Sequence, residues 1–369
     1  MAERNEFLTE QIITYLGNKR TLLSFIDQAV QIVKIELNKE KLDIFDVFSG
    51  SGIVSRYFKQ YAKNLYVNDL EDYCRVINEC YLTNENAFDK NELNKWFGLL
   101  KHRLDNKPLI KDGFISKLYA PADDKNIQPT ERVFYTTRNA RYIDTFRMYL
   151  DEVPEPYKTL LLGPLLYEAS TKNNTSGVFK GFYKNSKTNI GQFGGNGKDA
   201  LKRILADIEI KMPVLSENFC NVNVLQGDSN EICKDVPHVD LAYLDPPYNQ
   251  HPYGSNYFML NLIVNNEEPE NISRVSGIPE GWNQSSYNKK GQALQKMEEL
   301  CAKLNSKYIL ISYNSEGFIT FGEMVNLLGK LGELRVFDTQ YNVFRGCRNL
   351  RDRNIHVKEY LFLLKKRGE

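Results

Sequence analysis

Leu42-Asp43-Ile44-Phe45-Asp46-Val47-Phe48 runs into Ser49-Gly50-Ser51-Gly52 and then into Ile53. The apolar run reads as a buried strand, the glycines break it, and a helix is predicted from Ile53 onwards. A strand, a glycine-rich turn and a helix start form a cradle in which backbone can come close to a ligand. The spacing lacks the third glycine of the dinucleotide fingerprint, which disfavours NAD. A purely structural turn between strand and helix would have the same local pattern.

Two further strand ends fit this unit. Leu65-Tyr66-Val67 is a short strand closing on Asn68-Asp69, an acid placed roughly 20 residues after the glycines, where a ribose hydroxyl pair would be held. Asp69 also suits a helix cap for the segment from Glu71 to Cys80. Val222–Leu225 runs into Gln226-Gly227-Asp228, and Asp228 reads either as a turn acid or as a carboxylate facing the same crevice.

The next apolar run, Val239–Leu244, ends in Asp245-Pro246-Pro247-Tyr248. Both prolines fix φ and donate no backbone hydrogen bond, and each holds the residue before it extended. A carboxylate, carbonyls that can accept and a flat ring then share one rigid corner. The set suits a planar amine, with two acceptors for its N–H donors and a face on which its ring can stack.

The chain has 369 residues, enough for one large domain or two ordinary ones. A net charge of +1 gives no global basic signal, so any nucleic-acid surface must be local. Cys74, Cys80, Cys220, Cys233, Cys301 and Cys347 form no CxxC pair, which argues against a zinc site or a disulfide framework. With no leader or long apolar span in view, the expectation is a soluble cytoplasmic protein with no metal and no membrane.

Near the N-terminus, Tyr15-Leu16-Gly17-Asn18-Lys19-Arg20 reads as a turn before an amphipathic helix. It suits an ordinary cap as well as an anion contact in which Lys19 reaches a carboxylate or phosphate. From about residue 81 to 215 the strand rhythm stops, and predicted helices (Asn91–Leu104, Ala140–Leu150, Tyr157–Thr171) alternate with loops. Residues 171–203 carry Lys172, Lys180, Lys184, Lys187, Lys198, Lys202 and Arg203 against the single acid Asp199. Phe179, Phe182, Tyr183 and Phe193 are interleaved with glycines. Such a loop suits phosphate contacts and insertion among bases; a solvated surface loop is the alternative. Arg132, Arg138, Arg141 and Arg147 add a second basic cluster, for which a charged helix face is the simpler reading.

After Tyr248 a polar-aromatic loop is predicted over residues 249–257, where His251 is a structural or substrate contact more than a general base. A long loop follows over 265–290, then a helix over Gln292–Leu304 and a buried strand over 308–313. A helix over Phe321–Leu331 and closing strands over 334–343 and 356–364 complete the chain. A basic turn with Arg345, Arg348, Arg351 and Arg353 joins the closing strands.

On these residues the chain resembles the adenine-N6 DNA methyltransferases of the Dam-like, D12 class. Tyr15-Leu16-Gly17-Asn18-Lys19 is similar to that family's N-terminal motif, and Asp46 to Gly52 to its cofactor glycines. Gly227-Asp228 and Asp245-Pro246-Pro247-Tyr248 follow in the order of its alpha group. Phe134-Tyr135-Thr136, Asn139-Ala140 and Gly177–Phe182 look like segments of restriction-modification members. Asn18 departs from the glycine of many relatives of Dam.

The resemblance implies an α/β, Rossmann-like S-adenosylmethionine-dependent methyltransferase sheet over residues 1–80 plus 216–369. Residues 81–215 would form an inserted, mainly helical and loop-built target-recognition domain. It implies transfer of a methyl group from S-adenosylmethionine to a flipped-out adenine in double-stranded DNA, with a cognate restriction endonuclease as a possible partner. Asp245, Pro246, Pro247 and Tyr248 would be catalytic. Tyr15, Lys19, Phe48, Ser49, Gly50, Gly52, Asp69 and Asp228 would bind cofactor, and Lys180, Lys184, Asn185 and Lys187 would meet DNA. The tetrapeptide alone also occurs in ribosomal-RNA guanine-N2 methyltransferases, which are shorter and lack the insertion. A non-catalytic DNA-binding regulator with the same fold is a further alternative, against which the intact tetrapeptide speaks.

Overall fold

The computed structural model describes residues 3–197, 200–342 and 356–367. Seven strands form one sheet: β1 (Leu42–Asp46), β2 (Ala62–Asp69), β3 (Asn221–Gln226), β4 (Val239–Leu244), β5 (Ser306–Asn314), β6 (Gly332–Asn342) and β7 (His356–Lys366). Their order across the sheet is β3-β2-β1-β4-β5-β7-β6. The strands from β3 to β5 are parallel, whereas β7 runs antiparallel between β5 and β6. The α/β sheet expected of a methyltransferase is therefore present. The basic turn containing Arg345, Arg348, Arg351 and Arg353 lies outside the described residues.

Burial explains why β1 and β4 are central. Leu42, Ile44, Phe45, Leu241, Ala242 and Leu244 are all fully enclosed, as expected for strands covered on both faces. The helix Leu23–Leu37 turns Ile26, Ala29, Val30 and Val33 onto one face of the sheet. Helices Lys290–Lys303 and Phe321–Leu331 cover the other, through Met297, Leu300, Met324 and Leu328. Thr320 and Glu323 close a reciprocal capping box at the start of the second of these.

The chain leaves β1 for β2 on one side and returns to β4 on the other. Strand order thus reverses between β1 and β4, and a crevice opens beyond their carboxyl ends, where ligands bind in open parallel sheets. The Ser49–Gly52 turn and the Asp245–Tyr248 corner both lie at that point.

The described residues of 81–215 add no strand to the sheet and carry the helices Lys90–Asn106, Phe114–Tyr119, Thr137–Leu150 and Tyr157–Thr171 between long loops. Their core is continuous with the helices Asp72–Leu82 and Phe258–Asn265. Around Asn174, whose side chain donates to Val133 O and Gln192 O and accepts from Gly194 N, the basic segment folds back on itself and on Val133.

Candidate active site

The turn after β1 is held from both neighbouring strands. Val47 N–H donates to Tyr243 O and Ser49 N–H to Asn68 O, each at 2.9 Å. The buried Asn68 amide spans Val47 O and Gly227 O, tying the ends of β1 and β3 together. Gly50 has φ +50°, and a Cβ there would stand 2.8 Å from the Tyr15 ring. Gly52 has φ +76°, and its Cβ would meet Asn78 Oδ1 at 2.8 Å. Side chains are excluded at both positions by conformation and by space. Gly52 is thereby behind the turn, whereas Gly50 is on its open side.

The resulting cleft is lined by Tyr15, Lys19, Phe48, Ser49, Gly50, Asp69, Asp228 and Asp245–Tyr248. These residues come from positions 15 to 248 of the sequence and meet only in the fold. Gly52 is not among the lining residues. Asp69 braces the turn: Oδ2 accepts Gly50 N–H at 2.8 Å and Oδ1 accepts Glu71 N–H at 3.1 Å. The following helix, Asp72–Leu82, has Glu71 at its N-cap and no side-chain cap bond, so the cap expected of Asp69 is not formed. Asp228 Oδ1 accepts Asn230 N–H at the start of a helical turn.

At the other end, Asp245 keeps 21% of its side chain open and faces Lys19, whose Nζ lies 3.2 Å from Oδ1. Burial pushes the Asp245 carboxyl up to about 7, with Lys19 opposing the rise and Glu359 adding to it. Burial works to discharge Lys19, but Asp245 and Glu359 outweigh it and hold its pKa well above the usual lysine value. Asp46, fully enclosed behind the glycine turn and hydrogen-bonded by Ser55 Oγ at 2.5 Å, is likewise raised by burial to about 7. Tyr248 sets its ring edge-on to Tyr313, at 6.3 Å between centroids, and its carbonyl accepts Phe318 N–H. The ring is fixed at the rim from β5 and from the segment that follows it.

The N-terminal motif is clamped to the segment after the corner. Tyr15 stacks on Tyr253 at 4.8 Å and on Tyr257 at 5.0 Å. Tyr257 Oη accepts Leu16 N–H, and Tyr253 Oη donates to Leu16 O. The polar-aromatic stretch predicted as a loop over 249–257 therefore contains a helical turn, Tyr253–Asn256, leading into Phe258–Asn265. His251 is exposed and is not one of the cleft-lining residues. Its pKa is drawn down by burial and by nearby Lys180.

Several lining residues carried no signal in the sequence. Asn283, Ser285, Tyr287 and Asn288 arrive from the long loop, and Tyr287 packs edge-on to Phe48 at 5.2 Å. Glu71, 2% exposed, takes the amides of Asn261 and Asn283, and burial raises it to about 7. The pattern Asp69-x-Glu71 at a strand end was its only available signal.

Lys180, Lys184, Asn185 and Lys187 are not among the cleft-lining residues. Lys184 pairs with Gly191 in a short antiparallel bridge. At its tip Asn185 Oδ1 accepts Lys187 N–H and Thr188 N–H, and its amide donates to Gln192. Lys180 and Lys187 are exposed, and Lys184 lies 5.2 Å over the Phe182 ring. One sequence expectation fails here. Phe179 is 1% exposed and is not available for insertion among bases, whereas Phe182 is half-buried with its ring edge-on to Phe134. The apolar area of Phe179 is worth more in the core it shares with Phe134 and Phe258 than in solvent. Of the arginine cluster, Arg147 is buried, and Arg132 donates to Leu118 O, Ser273 O and Arg274 O. Arg138 donates to Ile208 O and pairs with Asp207.

Among the described residues no group of His, Cys, Asp and Glu could hold a metal ion, and no helix is long and apolar enough to cross a membrane. Cys74, Cys80, Cys220, Cys233 and Cys301 are buried free thiols.

The model of the family described as D12 class N6 adenine-specific DNA methyltransferase matches residues 15–327. The type II methyltransferase M.NlaIII of Neisseria lactamica is 29% identical over 363 residues, covering 96% of this chain and 99% of its own. The type II methyltransferase M.CviAII of Paramecium bursaria Chlorella virus 1 is 28% identical, covering 95% and 98%. The modification methylase StsI of Streptococcus sanguinis is 26% identical over 96% of this chain, which corresponds to 52% of StsI. The match reaches from the N-terminal motif past the Asp-Pro-Pro-Tyr corner, and the chain belongs to the D12 class of N6 adenine-specific DNA methyltransferases.

Proposed function

We propose that this adenine-specific methyltransferase binds S-adenosylmethionine across the glycine turn and transfers its methyl group to an adenine flipped out of duplex DNA. The observation that carries this reading is that the amine-accepting corner and the two strand-end carboxylates open on one cleft. The cleft's chemistry fits the donor. Gly50 admits backbone approach where any side chain would strike Tyr15. Asp69 and Asp228 supply acceptors for ribose hydroxyls and an adenine amine, and Phe48 with Tyr287 supplies an aromatic wall. When bound, S-adenosylmethionine supplies an electrophilic methyl group on a sulfonium.

The chain's own work concerns the amine. An exocyclic adenine nitrogen is a poor nucleophile because its lone pair is delocalised into the ring. Asp245 and the Pro246 carbonyl accept its two N–H bonds, so the nitrogen pyramidalises and its lone pair becomes available. The same acceptors stabilise the positive charge that develops on nitrogen, which is electrostatic preorganisation. Tyr248 stacks on the base and offsets part of the few kcal/mol that flipping costs. Protonation removes the Asp245 charge that stabilises the developing ammonium and turns one acceptor oxygen into a donor, so transfer is expected to fall as pH drops below about 7.

We assign residues 81–215 to target recognition and Lys180, Lys184 and Lys187 to phosphates, with Asn185 shaping the turn that presents them. The restriction-modification relatives support a cognate endonuclease as partner, and the buried thiols a reducing cytoplasm. Two titrations test the assignments. S-adenosylmethionine should saturate the wild type, and Asp228→Ala should weaken it at least about tenfold; undiminished affinity would remove Asp228 from the site. Neutralising the three lysines should weaken duplex binding and flatten its salt dependence, and an unchanged salt slope would put the DNA surface elsewhere.

A further inference from the structure

β7 returns between β5 and β6 and carries Glu359, 1% exposed, beneath the corner. Its Oε1 accepts from Lys19 Nζ at 2.7 Å and from Ser312 Oγ of β5 at 2.7 Å. The same ammonium lies 3.2 Å from Asp245 Oδ1. Two carboxylates thus share one lysine, and the shorter contact goes to the one that cannot reach the cleft. Glu359 also lies beyond the residues matched by the family model.

We propose that Glu359, anchored by Ser312, is a positioning residue that holds Lys19 off the cleft-facing lone pairs of Asp245 and keeps that carboxylate an acceptor. This inference rests on the role of Asp245 given above. Without Glu359, Lys19 would move onto Asp245 and compete with the adenine amine for its oxygens. Without Lys19, Asp245 and Glu359 would repel each other in a buried site, and Asp245 would take up a proton instead. The pair works because the lysine satisfies both carboxylates and belongs mainly to one.

Other groups facing Asp245 keep their places in either case. They are Asp46 at the end of β1, Tyr243 on β4, Tyr248 at the corner and Tyr253 of the following segment. Glu359 adds to the rise of the Asp245 pKa and Lys19 opposes it. The two substitutions must therefore move the acid limb of the pH profile in opposite directions.

The experiment is the pH dependence of kcat and kcat/KM for methyl transfer to duplex DNA. Glu359→Gln removes charge but little volume. It should lower the plateau kcat about tenfold or more and shift the acid limb down by about half a pH unit or more. Lys19→Met should shift the limb up. Ser312→Ala keeps the Glu359 charge, so it should lower the plateau with the limb in place. S-adenosylmethionine binding should survive in Glu359→Gln and Ser312→Ala, which separates positioning from collapse of the cleft. If Glu359→Gln does not fold, Ser312→Ala carries the test through its plateau. An active wild type whose Glu359→Gln limb stays put or rises would overturn the proposal alone. A wild type with no acid limb at all would overturn the reading of Asp245 on which it rests.

Discussion

Asp245→Ala is expected to reduce methyl transfer by on the order of 10²–10³-fold or more while S-adenosylmethionine still binds. The substitution removes one of the two acceptors on which the amine depends and leaves the cofactor end of the cleft, at Gly50, Asp69 and Asp228, in place. It also leaves Lys19 paired with Glu359, which limits the damage to the corner. Asp245→Asn is the more revealing variant. Its amide keeps the volume and one acceptor oxygen but loses the charge that stabilises the developing ammonium, so it should remain severely impaired. Single-turnover transfer from labelled donor, with cofactor affinity measured in parallel, reads both quantities. Full turnover in either variant would end the assignment.

Tyr248→Ala should cost roughly 5- to 150-fold in kcat/KM, which corresponds to the 1–3 kcal/mol typical of stacking a base on an aromatic ring. Tyr248→Phe and Tyr248→Trp should lose much less. The ring is held by the edge of Tyr313 and by a backbone bond from Phe318 to its carbonyl. Both of those contacts persist in any aromatic replacement. A ranking with Ala far below Phe and Trp supports stacking; equal losses in all three would show that the hydroxyl is the essential group. The loss should appear with duplex substrate and shrink when the target adenine is already unpaired, because the flipping cost falls.

The features that were legible before the fold were local ones. A strand that ends in glycines, an acid at a strand end and two prolines in succession each constrain the backbone at the residues that carry them. Phe45 to Gly52 and Leu244 to Tyr248 therefore appear in the structure much as their sequences require. Helix Tyr157–Thr171 is found at its predicted bounds for the same reason. The features that were not legible depend on distant packing. Glu359 lies 340 positions from Lys19, and its arrival depends on β7 inserting between β5 and β6. Asn283 to Asn288 belong to a stretch without periodicity, whose seat over the cleft depends on Glu71 and Phe48. The interleaved phenylalanines misled for a physical reason. A run of basic and aromatic residues looks alike whether its rings face DNA or a core, and the buried Phe134 draws Phe179 inward.

Lys19 gained most from the structure. In sequence it was a cation at a helix start that could reach a carboxylate or a phosphate. In the fold its partners are two carboxylates of this same chain, and one of them is the acceptor on which transfer depends.

The most direct measurement is of the product. Duplex DNA of mixed sequence is incubated with the protein and methyl-labelled S-adenosylmethionine, digested to nucleosides and separated. The label should appear in N6-methyldeoxyadenosine and be absent with Asp245→Ala. Label in any other nucleoside, or its persistence in the variant, would contradict the account.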